Sequence, residues 1–246
     1  MGVSTEEEYK KYLEKSKKNK PKHKDKPLST PKPANIQDTK NYIILESKTH
    51  GPYSYPDILV STGKDYHNQN WNQTQQTLHQ SNEFMLTIRQ YVDFLNLLKS
   101  GTVYDGIGNR IPSSNLSQIL DEILTVREPW RSEWLDAKFT KQGRLYRITY
   151  HKVNPNGTSQ EVTEPLEDCL MKEREPGIDL NHWLNKATPQ GLPLKNTPKG
   201  DLWYWYPRED YVARFDADSG RAVLDCFGDP RSSYSSLGVR RAKIKV

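Results

Sequence analysis

The last stretch of the chain, Val212 to Arg240, alternates two kinds of position, and that alternation limits what it can fold into. Phe215, Ala217 and Ser219, then after a shift of phase Ala222, Leu224 and Cys226, are small or apolar residues spaced by two, the period of a β-strand with one buried face. Gly220 followed by Arg221 and Ala222 marks the slip, as a bulge or tight turn does. The other face carries Asp216, Asp218, Gly220, Val223, Asp225, Phe227, Gly228 and Asp229, and a predicted loop follows with Arg231, Ser232 and Tyr234. A solvated strand face is polar throughout, whereas here Val, Phe and Gly share it with aspartates.

From Phe215 to Ser236 there is no Lys, Glu, Gln, Met or Trp, although those types make up roughly a quarter of the chain. The codons of all five end in a purine. Every residue on the irregular face can be reached from an asparagine codon, AA followed by a pyrimidine, by changing only its adenines. Mutagenesis directed at adenines leaves this signature.

The skeleton between these positions is Arg214, Phe215, Ala217, Ser219, Arg221, Ala222, Leu224, Cys226, Pro230, Ser233 and the closing Leu237, Gly238, Val239 and Arg240. It resembles the variable region of diversity-generating retroelement target proteins, most of all the variants found in archaea, their viruses and small-genome bacteria. The resemblance implies a C-type-lectin-type α+β domain, related to the formylglycine-generating-enzyme (sulfatase-modifying-factor) family, with two helices and short antiparallel strands. Members of that family also end in a Gly-aromatic-Arg motif, and Val239 stands where the aromatic would be. The resemblance further implies a hypervariable ligand-binding protein that is not an enzyme, diversified by an error-prone reverse transcriptase and displayed on a virion or cell surface. The pattern covers about thirty residues, extends loosely back to Asn41 and leaves residues 1–40 out.

Charge is distributed unevenly. Residues 1–40 hold eleven Lys against six Asp or Glu, which accounts for the whole formal charge of +5. The pI near 9.0 therefore describes a Lys/Pro-rich, disordered tail and not a basic domain; it reads first as a solvated tail, and functionally as a tether to a partner or a weak electrostatic hold on something acidic. Nucleic-acid binding gains no support for the folded part, residues 41–246; a nucleic-acid-associated protein acting through its tail is one alternative. The first residues lack the apolar core of a signal peptide, and no apolar run spans a membrane, so the sequence reads as cytoplasmic, with surface display requiring a partner. Cys169 and Cys226 read as reduced thiols, with Cys226 on the buried side.

Along the domain, Tyr42–Leu45 and Asp57–Val60 read as strands, and the polar run 63–82 has no period and reads as a loop. Thr87 caps a helix with Ile88, Tyr91, Val92, Leu95 and Leu98 on one face and Gly101 at its end; a second helix runs from about Ser114 to Val126. Trp134–Thr140 and Arg144–Val153 form a hairpin, the Asn154–Gly157 turn leads to a strand over 160–163, and a short helix covers Asp179–Asn185. The aromatic strand Asp201–Tyr206 then alternates core and rim.

Catalytic and metal constellations are weak. The six His show no ligand spacing for zinc, and Asp216, Asp218 and Asp225 lack the companion motifs of a lectin calcium site, so no metal and no cofactor is expected. Gly106-Ile107-Gly108 is a turn, not a dinucleotide loop. An oxidoreductase of the formylglycine-generating type, the other alternative, needs a working cysteine pair, which the acidic neighbours of Cys169 disfavour. The expected division of labour is therefore as follows. Inward Phe215, Ala217, Ala222, Leu224, Cys226, Leu237 and Val239 hold the fold, and Arg214, Arg221 and Arg240 bond backbone carbonyls. The outward residues form an exposed face of net charge about −3, anchored by Phe227 and Tyr234, for a basic or hydroxyl-rich protein or glycan.

Overall fold

The computed structural model describes residues 39–245; the tail expected over residues 1–40 lies almost wholly outside them. The domain is α+β, with four helices among the described residues and strands in one large mixed sheet, one small sheet and a hairpin.

The small sheet has the order β1–β4–β14–β5, formed by β1 (Tyr42–Leu45), β4 (Ile58–Ser61), β5 (Phe84–Met85) and β14 (Arg241–Ile244). The last strand thus pairs with one of the first, Ala242 opposite Val60. A separate hairpin, β2 (Lys48–His50) and β3 (Tyr53–Tyr55), turns at Gly51.

The large sheet has the order β8–β7–β6–β11–β12–β10–β9, with β13 (Leu237–Gly238) added to β6 (Arg131–Gln142). Its outer strands are β7 (Leu145–Val153), β8 (Ser159–Pro165) and β9 (Arg174–Ile178); its inner ones are β10 (Leu202–Trp205), β11 (Val212–Ala217) and β12 (Ala222–Gly228). Two pairings are parallel, β10 with β12 and β13 with β6, so the sheet is not built of antiparallel strands alone.

Helix α1 (Trp71–Gln80) occupies the run expected to be a loop. Asn70 and Gln73 form a reciprocal capping box, and the buried positions Trp71, Thr74, Gln75 and Leu78 follow helical spacing. Two of those four are polar, which hides the period. Gln75 is accommodated because its Nε2 donates to Asp136 Oδ1 at 2.6 Å. Helix α2 (Ile88–Ser100) begins in a Thr87/Gln90 capping box and ends at Gly101, whose φ of 70° lies in the left-handed region. Helix α3 spans Ser113–Leu124, and α4 spans Leu180–Lys186.

Burial splits into two clusters. The larger places α2 against the large sheet: Phe215 stacks on Trp183 with ring centroids 6.4 Å apart and touches Tyr91 at 5.5 Å. Ala217, Ala222, Leu224 and Cys226 belong to the same cluster, and one such aromatic or leucine side chain contributes about 1.5 to 3 kcal/mol by leaving water. The smaller cluster joins Trp71, Leu78, Met85, Trp134, Val212, Leu237 and Val239 beneath α1.

Candidate ligand-binding cleft

The C-terminal hairpin sets the site. Arg214 faces Asp225, Asp216 faces Val223 and Ala217 faces Ala222 across β11 and β12. The turn closes as Asp218 N–H donates to the Arg221 carbonyl at 2.9 Å, while Asp218 Oδ1 accepts from Gly220 N at 2.7 Å and Arg221 N at 2.9 Å. The shift of phase at Gly220 is therefore a tight turn; the register irregularity of β11 lies elsewhere, between Val212 and Arg214.

Flanking strands extend the same face. Ser132 and Trp134 of β6 lie opposite Asp216 and Arg214, and Trp203 and Trp205 of β10 lie opposite Val223 and Asp225. The loop after β12 folds over one edge and is pinned there: Trp71 N–H donates to the Pro230 carbonyl, Asn68 N–H to that of Tyr234 and Ser132 N–H to that of Ser236, each at 3.1 Å. Gly238 closes the loop against Asp65 and His67. A Cβ there would lie 2.8 Å from the Asp65 carbonyl oxygen, so no larger residue fits without backbone movement.

The result is one cleft of about 650 Å³. Seven of the eleven residues expected on the recognition face line it: Asp216, Asp218, Val223, Phe227, Asp229, Ser232 and Tyr234. Gly220 and Arg231 are exposed outside it, and Asp225 and Gly228 are buried. Trp130, Trp205 and Tyr211 complete the walls; none of the three was expected. Trp205 was visible as the rim phase of an aromatic strand, whereas Trp130, ahead of β6, follows no period.

The walls are aromatic. Trp130 meets Tyr234 edge-on at 5.5 Å, and Tyr211 meets Phe227 at 4.1 Å. Arginines lie over the remaining rings, Arg221 over Trp203 at 4.6 Å and Trp205 at 5.1 Å, and Arg208 over Phe227 at 4.1 Å.

The floor departs from expectation. Asp216, Val223 and Asp225 are 5%, 2% and 0% exposed, so the alternating face is not uniformly solvated. Arg214 is the reason: its Nε lies 2.8 Å from Asp225 Oδ2 and 3.1 Å from Asp216 Oδ2, while Asp216 also accepts from the Ser132 hydroxyl. Asp225 Oδ1 accepts from Phe227 N at 2.7 Å. Burial raises the pKa of both carboxyls despite Arg214, and the two carboxylates raise that of the guanidinium against its own burial. The two carboxyls titrate as a coupled pair shifted toward the protonated form, beside an arginine that stays charged. Gly228 is also constrained, since a Cβ would meet the Val212 carbonyl oxygen at 3.0 Å and Arg214 Cδ at 3.2 Å.

The arginine roles and the charge are corrected accordingly. Arg214 bonds carboxylates, and Arg221 pairs loosely with Asp218 at 3.9 Å, neither serving backbone carbonyls. Arg240 does bond the Ser61 and Thr62 carbonyls, at 3.2 and 2.5 Å, and it also pairs with buried Glu133 at 3.1 Å. Arg231 holds Asp229 through two contacts of 3.0 and 2.9 Å, which lowers the Asp229 pKa. With all four aspartates ionised, they meet Arg214, Arg221 and Arg231 and leave a surplus of about −1 in place of the expected −3.

Among the described residues, no group of three or more His, Cys, Asp or Glu is placed to hold a metal ion. Both cysteines are buried free thiols beneath this sheet. Burial, with Asp168 and Glu167 adding to it, pushes Cys169 up to about 12, and burial raises Cys226 well above its ordinary value, so neither forms a thiolate near neutral pH. No helix of the described residues is long and apolar enough to cross a membrane. Compared with family models, curated proteins and solved structures, the chain matches none.

Proposed function

We propose that the chain is a hypervariable ligand-binding protein, the target of a diversity-generating retroelement, on a C-type-lectin-type fold related to the formylglycine-generating-enzyme family. One observation carries the reading: residues reachable from an asparagine codon converge from a hairpin and a loop on one aromatic-walled cleft, while the apolar skeleton residues between them, Phe215, Ala217, Ala222, Leu224 and Cys226, lie in the core behind it. A rigid frame suits such a site, because a pinned loop and a capped turn spare the ordering cost that a mobile loop incurs on binding.

The ligand that fits is a protein or glycan surface. Tyr234, Phe227, Trp130 and Trp205 offer large flat contacts at low entropic cost, and the nearly compensated charge favours hydroxyl-rich over strongly basic partners. The Lys/Pro-rich segment within residues 1–40 would tether the domain to a larger or displayed body.

Sequencing the DNA that flanks the coding region tests this. A near-identical, adenine-rich copy of its 3′ end beside a reverse-transcriptase gene is expected; a locus with neither would sink the proposal.

A further inference from the structure

A second cleft, of about 640 Å³, lies on the other side of Trp130, and its chemistry differs from that of the first. Lys64, Arg127, Arg131 and Arg240 line it, and the carboxylates that meet them are Glu122 and Glu133. Arg240 and Glu133 compensate each other at 3.1 Å. Glu122 is left to serve three cations, Arg127 at 2.9 Å, Arg131 at 3.9 Å and Lys64 at 4.0 Å. Among groups in direct contact, four cations meet two carboxylates, a surplus of two positive charges, while Asp218 and Glu128 act on Arg131 from further off.

Lys64 is the least satisfied of the four. Its side chain is only 11% exposed, and its shortest polar contact is a long 3.4 Å approach to the Ser132 carbonyl. Burial lowers its pKa, and Arg240 and Arg131 push the same way against Glu133 and Glu122. An ammonium carries three donors and is costly to withdraw from water without a close acceptor. Arg131 is differently placed, because its guanidinium donates to the carbonyls of Glu122, Arg127 and Pro129 at 2.8 Å each and acts as a fixed background charge. Arg127 is 43% exposed, and Ser235 and Ser236, from the loop after β12, also line the cleft.

We propose that this cleft binds a doubly charged tetrahedral oxyanion, a phosphate or sulfate group, with Lys64 as its central ligand and Arg127 and the two serines closing around it. A dianion matches the surplus charge. Donors arriving from three separate chain segments suit a tetrahedral acceptor better than a planar carboxylate. The site would stand whether or not the neighbouring cleft is diversified.

Calorimetric titration of the full chain with inorganic phosphate, sulfate and acetate at constant ionic strength tests this. Saturable one-site binding is expected for phosphate or sulfate, with acetate weaker by about tenfold or more. A response to phosphate points to a phosphate monoester or free phosphate as the natural ligand, and one to sulfate alone to the free sulfate dianion. Lys64→Met should weaken binding about tenfold, Arg127→Ala about threefold, and Lys64→Arg should retain it. Leu145→Ala, at an exposed position of the outer strand β7, should leave it unchanged. Equal anion affinity in Lys64→Met, Arg127→Ala and the parent chain, or acetate as tight as phosphate, would overturn the proposal.

Discussion

Four aspartates share one face of the C-terminal hairpin and its loop, and they divide into two pairs. Asp216 and Asp225 lie on the floor of the cleft, almost fully buried, and hold the Arg214 guanidinium. Asp218 and Asp229 lie at the rim, with side chains 29% and 39% exposed, and each mainly caps the turn that follows it. The residue type and strand phase are the same, but the energetic setting is not. Alternation assigns a side chain to a face of the sheet, while neighbouring strands and the loop folded across that face decide how deep it lies. At the floor, a substitution must contend with a buried arginine; at the rim, it meets water.

The floor should accordingly tolerate least. Asp225→Ala leaves Arg214 buried with weakened compensation and is expected to cost about 3 to 5 kcal/mol in urea unfolding. Asp218→Ala, which loses only turn hydrogen bonds, should cost about 1 kcal/mol. Similar losses in the two variants would erase the distinction between floor and rim. On the opposite face of the same strand, Leu224→Ala should cost about 2 to 5 kcal/mol, since the fully buried leucine leaves a cavity in the main core.

The floor should also respond to pH. Asp216 has a folded pKa above its unfolded value, because burial favours the protonated form. The stability it contributes is fully present below pH about 4 and is lost as pH rises through the raised folded pKa. Unfolding free energy measured across that interval should therefore fall for the parent chain and flatten in Asp216→Asn. An unchanged slope would show that the acid pair does not take up the proton. Smaller effects belong to the rim. Phe227→Ala, which gives up its contacts with Tyr211 and Arg208, should cost about 1 kcal/mol, and Tyr234→Ala should stay within about 0.5 kcal/mol.

Much of the scaffold was legible in the sequence. The Thr87 cap, Gly101 at the helix end, the hairpin after β6 and the inward residues Phe215, Ala217, Ala222, Leu224 and Cys226 follow from local spacing and turn chemistry, whereas Ser219, expected on the same inward face, is exposed in the turn. Helix α1 did not, because two of its buried positions are polar: Thr74 satisfies its hydroxyl on the Asn70 carbonyl one turn back, and Gln75 donates to distant Asp136. The cleft was legible as a set of residues but not as a depth. Nothing local to Asp225 says that Arg214 will cover it, and nothing around Trp130 says that it will face Tyr234 from a distant part of the chain. Those contacts are made by strand order, which periodicity does not encode.

Interchangeability of the rim on a fixed frame is best measured by protease resistance of two displayed libraries. One randomises Asp218, Phe227, Asp229, Arg231, Ser232 and Tyr234; the other randomises the inward residues Phe215, Ala217, Ala222, Leu224 and Cys226. Most members of the first should remain folded and most of the second should not. Comparable losses in both would contradict the separation of recognition from folding along this hairpin.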